Sequence, residues 1–327
     1  MNLKAILLSF LLLSFLFAFP QRNCGTMQHY EDQLIKDPSL LLRMQDQERE
    51  IKNWIQNNLN KHQPSIITIP VVVHIVYNNQ NENISDNQIF SQLDILNEDF
   101  RRLNADTVNT PTGFLSVASD CEIEFCLAQK DPNGNSTTGI TRTQTSETSF
   151  STNDDVKYTN SGGKDAWNTL EYLNIWVCDL SGGLLGYAQF PGGNVNEDGV
   201  VCDYAYFGNI GTATPPYDKG RTATHEVGHW LNLRHIWGDS NCGNDFCNDT
   251  PEHSGSNYGC PSYPSTSTCS ANGLYGDMFM NYMDYTDDAC MNIFTQDQKN
   301  RMIAAINTSR AGLLTSNACN TDYGCTD

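Results

Sequence analysis

The chain has 327 residues, 12 cysteines and a formal net charge of −19, from 19 Lys+Arg against 38 Asp+Glu. That balance excludes nucleic acid or an anionic membrane as partner, because phosphates need a basic surface. A hydrophobic share of 39% with 10% aromatics excludes a disordered polyanion. Twelve cysteines without paired Cys-x-x-Cys clusters read mostly as disulfides made outside the cytoplasm.

At the N-terminus, Lys4 precedes an apolar run from Ala5 to Phe19. The run suits a signal-peptide core and falls short of a membrane span, so it predicts a signal peptide over 1–20, export, and no stable membrane anchor. Residues 21–63 are polar and contain a predicted helix over 40–59, with Leu41, Met44, Ile51, Trp54, Ile55 and Leu59 as a partial stripe. A short helix with one stripe must dock on something, and a propeptide lying on the mature domain is one such arrangement. Lys61 is a plausible cut site.

Ile66 to Val76 reads as a buried strand. Ser85 and Gln88 read as a capping box opening a helix with Ile89, Leu93, Leu96, Phe100 and Leu103 on one face. Strands are predicted over 122–127, 173–177, 184–190 and 199–207, and the stretch 133–160 reads as loop. A helix at Thr222 completes an α/β or α+β order.

The chemistry concentrates in the eleven residues from His225 to His235, which hold three of the chain's seven histidines. His225 and His229 are four apart, so on a helix both imidazoles leave the same face and can chelate one Zn²⁺. Glu226 beside them can reach the open metal position where water binds. His235 lies too far along for a continuous helix, so the chain must turn back, and Asn232 stands where a positive φ is needed. The loop over 238–253 offers oxygen donors for Ca²⁺, among them Asp239, Asn244, Asp245, Asn248, Asp249 and Thr250, and reads equally as a solvated loop held by Cys242 and Cys247.

His225, Glu226, His229 and His235, with Met283 in the later Asn281-Tyr282-Met283-Asp284-Tyr285, resemble the long zinc motif and Met-turn of metzincin metallopeptidases. Asn232 replaces their usual glycine. The surroundings HEVGHWLNLRHIWGD and NYMDYTDDAC look most like the pappalysin family, in its secreted cytophagalysin-like branch. The resemblance implies a twisted mixed five-stranded sheet with an active-site helix and an irregular C-terminal subdomain. It also implies a zymogen whose mature form is a zinc endopeptidase, with His225, His229 and His235 as zinc ligands and Glu226 as the group that moves the proton. Met283 would form an apolar base under the histidines. Tyr285 would stabilise the oxyanion, or serve as a buried structural tyrosine.

The resemblance places substrate, a protein or peptide, extended along the edge strand within Gly182 to Phe190. It makes Cys24 a candidate zinc-blocking thiol, with a disulfide partner as the other reading. It implies calcium near the 238–253 loop, with Asp245, Asp249 and Thr250 as ligands. It pairs Cys247 with Cys269 and Cys260 with Cys290, although four cysteines alone allow three pairings. It puts Asp287 and Asp288 at the wall of the pocket after the scissile bond, where acid would favour Arg or Lys. The chain would divide into a signal peptide (1–20), a propeptide (21–63), a catalytic domain (64–314) and a disulfide-closed tail (315–327). A thermolysin-like peptidase would take its third ligand from a later glutamate, and a non-catalytic binding protein would have lost Glu226 or a histidine.

Overall fold

The computed structural model describes residues 21–58 and 65–319. The predicted signal peptide, the plausible cut site Lys61 and most of the predicted tail lie outside them. Among the described residues no helix is long and apolar enough to cross a membrane. The chain opens with two helices, α1 (Thr26–Lys36) and α2 (Leu40–Asn58). The sequence reading predicted α2 and missed α1. In α2 the docked side is Leu40, Met44 and Ile51, while Leu41 is exposed, so the buried stripe starts one residue earlier than predicted.

The domain is built on a six-stranded sheet. Its strands are β1 (Ile67–Tyr77), β2 (Ile123–Leu127), β3 (Ile140–Gln144), β4 (Leu173–Cys178), β5 (Gly186–Ala188) and β6 (Val200–Asp203). The order is β2-β1-β4-β6-β5, with β3 also paired to β1. β2 pairs with the first half of β1 and β3 with the second, so the two lie end to end along one side of it. This explains six strands in place of the expected five. β3 fell inside the stretch read as loop because its sequence ITRTQ is polar and only half-buried. Every pairing is parallel except β5 with β6, which leaves β5 as an antiparallel edge.

A parallel sheet covered on both faces needs apolar strands, and β1 is mostly apolar, with Thr68 and His74 as its polar exceptions. β1 is buried at nearly every position. Its odd residues from Ile67 to Ile75 join the main core with Ile89, Leu93, Leu96 and Phe100 of α3 (Asp86–Phe100) and with Val227 and Trp230 of α4 (Arg221–Trp230). Leu103, predicted on the same face of α3, lies past the helix end and is exposed. Ser85 accepts from the Gln88 amide as predicted, but Gln88 sends its own side chain to the Phe207 carbonyl (2.8 Å), so the box is half made. The complete capping box is Thr295 with Gln298, opening α5 (Gln296–Asn307).

Disulfides join Cys126–Cys319, Cys242–Cys269 and Cys260–Cys290. The expected pairing of Cys247 with Cys269 is therefore incorrect. Cys242 adopts φ 52° and donates its amide to the His253 carbonyl (3.0 Å), and this turn brings it to Cys269. Cys247 is a buried thiol, as are Cys24, Cys121, Cys178 and Cys202. Six of the eleven described cysteines are thus in disulfides, as the expectation of a mostly disulfide-bonded set has it. Cys319 closes onto β2 and not within the tail.

Candidate active site

α4 ends where the sequence reading places its turn. Asn232 adopts φ 70°, and its amide donates to the His229 carbonyl (2.8 Å). The reversal swings His235 back to the two helical histidines. The Nε2 atoms of His225 and His235 each lie 3.1 Å from that of His229. The opposite ring nitrogens are all occupied. His225 Nδ1 donates to the Tyr282 carbonyl (2.7 Å), His229 Nδ1 donates to the Leu233 carbonyl (2.8 Å), and His235 Nδ1 faces the Asp239 carboxylate. Carbonyls only accept, so the protons sit on Nδ1 and the Nε2 lone pairs converge. Burial first, and then the neighbouring imidazoles, holds His225 and His229 well below the usual histidine range. Three converging Nε2 atoms, each with its Nδ1 tied to an acceptor, leave their lone pairs facing one another, so the donor set fits a metal ion.

The ring packing continues outward. Trp237 stacks on His235 with centroids 4.3 Å apart, and Tyr285 meets His235 edge-on at 4.9 Å. Below the histidines Met283 is fully buried. Its sulfur lies so close to Gly228 that a Cβ there would stand 2.5 Å from it. Gly228 is therefore required for the methionine to come up against α4, a role the sequence reading did not give it.

Glu226 is buried and faces the N-terminal segment. Its Oε2 accepts from the Thr26 hydroxyl (2.8 Å) and lies 3.4 Å from the Cys24 sulfur. Burial pushes its carboxyl up to about 7. Cys24 Sγ falls in one cluster with the three histidine nitrogens, all within 4.8 Å of one another. Burial, then Glu226, pushes the Cys24 thiol up.

The segment carrying Cys24 lies along the edge strand. Gly25 donates to the Gly186 carbonyl (2.8 Å) and Leu185 to the Asn23 carbonyl (2.9 Å), in parallel register with β5. Gly186 faces Glu226, and a Cβ there would stand 2.9 Å from its Cγ. The predicted strand is thus real but short, and its outer edge is taken by the chain itself. Arg22 enters a buried pocket, where it pairs with Asp288 and donates to the Thr286 carbonyl (3.2 Å). The other Asp288 oxygen accepts from the Lys219 (2.8 Å) and Arg221 (3.2 Å) amides. Asp287 is only half-buried and feels Arg22 and Asp288 through charge alone.

In the 238–253 loop, Thr250 donates to both Asp245 oxygens (3.0 and 2.9 Å). Asp249 turns away to cap α5, accepting from the Thr295 hydroxyl (2.7 Å) and the Asp297 amide (2.8 Å). The three expected calcium ligands are therefore not brought together as a set. Burial pushes Asp245 up to about 6.

The comparisons with known proteins agree with this geometry. The sequence model described as pregnancy-associated plasma protein-A, peptidase M43, matches residues 152–307. An extracellular metalloprotease of Arthroderma benhamiae is 32% identical over 254 residues, covering 75% of this chain and 80% of that protein. The chain belongs to the pappalysin family of metallopeptidases. Among solved pappalysin structures, Tannerella forsythia mature mirolysin in complex with a cleaved peptide is 57% identical, with TM-score 0.75 over 77% of this chain and 97% of that one. A promirolysin variant from the same organism is 53% identical, with TM-score 0.82 over 90% of this chain and 97% of that one. This pappalysin is a secreted metalloendopeptidase made as a zymogen. Arg22, Thr26 and Gly228 are the residues of the site that sequence reasoning missed. Arg22 and Thr26 act across some 200 positions or more, where no local pattern signals them.

Proposed function

We propose that His225, His229 and His235 hold Zn²⁺ and that the chain, once residues 21–63 are removed, cuts extended protein or peptide substrates before a basic residue. When bound, the metal supplies Lewis acidity toward water and the scissile carbonyl. Glu226, whose Oε2 is freed of Thr26 and Cys24 once the N-terminal segment leaves, takes the proton of the attacking water and returns it to the leaving amine. Tyr285, edge-on to His235, donates toward the developing oxyanion. Met283 and Gly228 hold the floor under the histidines.

Substrate takes the edge of β5 that residues 23–26 now occupy. The observation that carries the reading is the convergence of the three Nε2 atoms, with Glu226 beside them and Cys24 lying over both. In the zymogen Cys24 takes the place that water needs, and residues 1–20 direct export. The buried Arg22–Asp288 pair supports preference for Arg or Lys after the scissile bond, since the chain itself puts a guanidinium there. The reading of calcium at the 238–253 loop rests on its oxygen donors, with the buried Asp245 carboxylate, held by Thr250, as the one expected ligand that faces into the loop.

The test is a peptide library offered to the processed wild type and to Glu226→Ala. Cuts before Arg or Lys by the wild type alone are expected. Equal cleavage by both proteins sinks the mechanism.

A further inference from the structure

We propose that Asp154 is a substrate-binding subsite of the processed enzyme, taking a planar N–H donor side chain, an imidazole or guanidinium, from a residue on the N-terminal side of the scissile bond. The inference rests on the reading that residues 21–63 leave the domain.

Asp154 sits in the loop after β3, is 2% exposed, and adopts φ 70°. Its two oxygens have different partners. Oδ1 faces inward to the Lys157 ammonium (2.8 Å) and the Tyr187 hydroxyl (3.2 Å). Lys157 is itself fully buried and also donates to the Glu197 carbonyl (2.7 Å), so it is fixed. Oδ2 faces the pro-segment, where its partner is His29 Nε2 of α1 at 2.7 Å. Burial alone would raise this carboxyl, but Lys157 and then His29 hold it well below the usual carboxylate range. When α1 leaves, Oδ1 keeps both its donors and Oδ2 loses the imidazole. A rigidly held carboxylate oxygen then opens at the rim of the cleft.

The position is one that substrate reaches. A Cβ on Gly25, in the strand that blocks the cleft, would stand 2.7 Å from Thr152 and 3.3 Å from Tyr187 Cβ, so this loop borders the path of the bound chain. The blocking segment runs parallel to β5, from Arg22 in the Asp288 pocket, past Cys24, to Thr26 beside Ala188. A substrate pairing antiparallel to β5 would run the other way. Its residues before the cut would lie on the Ala188 side, where α1 and His29 now sit. The chemistry follows from the present occupant. The His29 ring lies 5.0 Å from that of Tyr187, and its Nδ1 has no partner, so one N–H to Oδ2 and one aromatic wall are what the pocket offers. Lys157 already balances the Asp154 charge, which favours a planar donor held against the Tyr187 ring, as the tilted His29 ring is (46° between planes), over a bare ammonium.

The experiment uses processed enzyme and peptides with Arg fixed after the cut, each of the four preceding positions varied among His, Arg, Ala and Glu. At one position His or Arg is expected to raise kcat/KM about tenfold over Ala, the worth of one charge-assisted hydrogen bond. In Asp154→Asn, Lys157 holds the amide oxygen inward and an NH₂ replaces Oδ2, so that ratio is expected to fall to about one. Because both peptides are measured on the same enzyme, general loss of activity cancels. A flat wild-type profile at all four positions overturns the subsite whether or not the variant folds, and so does a ratio unchanged in Asp154→Asn. Absence of any cleavage by the wild type overturns the peptidase reading and the subsite with it, whereas full cleavage with a flat profile overturns the subsite alone.

Discussion

The two faces of the catalytic cleft are held by different kinds of contact. On the N-terminal side, residues 21–58 are attached by reversible polar pairs: Arg22 with Asp288, Thr26 with Glu226, His29 with Asp154, and Glu48 with Arg301. On the C-terminal side, the loops from 238 to 290 are braced by Cys242–Cys269 and Cys260–Cys290. On the proposed reading, the segment that leaves is tied by non-covalent contacts, these polar pairs and the apolar side of α2, and the wall that stays is tied covalently. Burial makes the reversible ties strong while they last, because breaking one strands a charge out of water.

The comparison breaks first at Arg22. Arg22→Ala leaves Asp288 buried without its guanidinium, a cost of about 3–5 kcal/mol. Cleavage by the intact full-length chain should rise by about 10²-fold or more, and an unchanged rate would show that this pair does not hold the zymogen shut. Replacing Cys260 and Cys290 together by Ser should cost about 3–4 kcal/mol of stability from loop-closure entropy. The denaturant midpoint should fall while the full-length chain stays latent, and loss of latency would blur the division between the two faces.

The sheet beneath both faces gives the next effect. His74 is fully buried between Thr141 and Asn174, and burial lowers its pKa from 6.5 to about 4. Below pH 6.5 the unfolded chain takes up a proton that the folded imidazole refuses, so stability present above pH 6.5 is lost as pH falls toward 4. The loss approaches about 3 kcal/mol at the lower end. Denaturation followed from pH 7 to 4.5 should show this slope, and His74→Gln should reduce it by the His74 share, leaving that of the buried His225 and His229. The smallest effect belongs to Glu48→Gln. Glu48 is only partly buried, and Gln can still accept from one arm of Arg301, so the change should weaken docking of α2 by about 1 kcal/mol. Full-length activity should rise by less than tenfold, and a rise as large as that of Arg22→Ala would move the decisive contact from the cleft to α2.

How much of this the sequence carried depends on the range of the contact. The histidine site was legible because its ligands lie within eleven residues and their geometry follows from one helix turn and one positive φ at Asn232. β1 was legible because burial on both faces demands a nearly continuous β-branched apolar run. β3 was not, because a polar strand on the flank of β1 carries no such signature. Cys242 was passed over for Cys247 because the choice turns on a backbone conformation at Cys242, not on spacing. His29 and Arg22 sit in a polar stretch with no pattern of their own, and only the fold brings them to Asp154 and Asp288.

The most direct test of the account is the metal. The processed protein should hold about one zinc per chain, lose peptide cleavage when a chelator removes it, and regain cleavage when zinc is restored. Cleavage that persists in zinc-free protein would contradict the assignment of His225, His229 and His235.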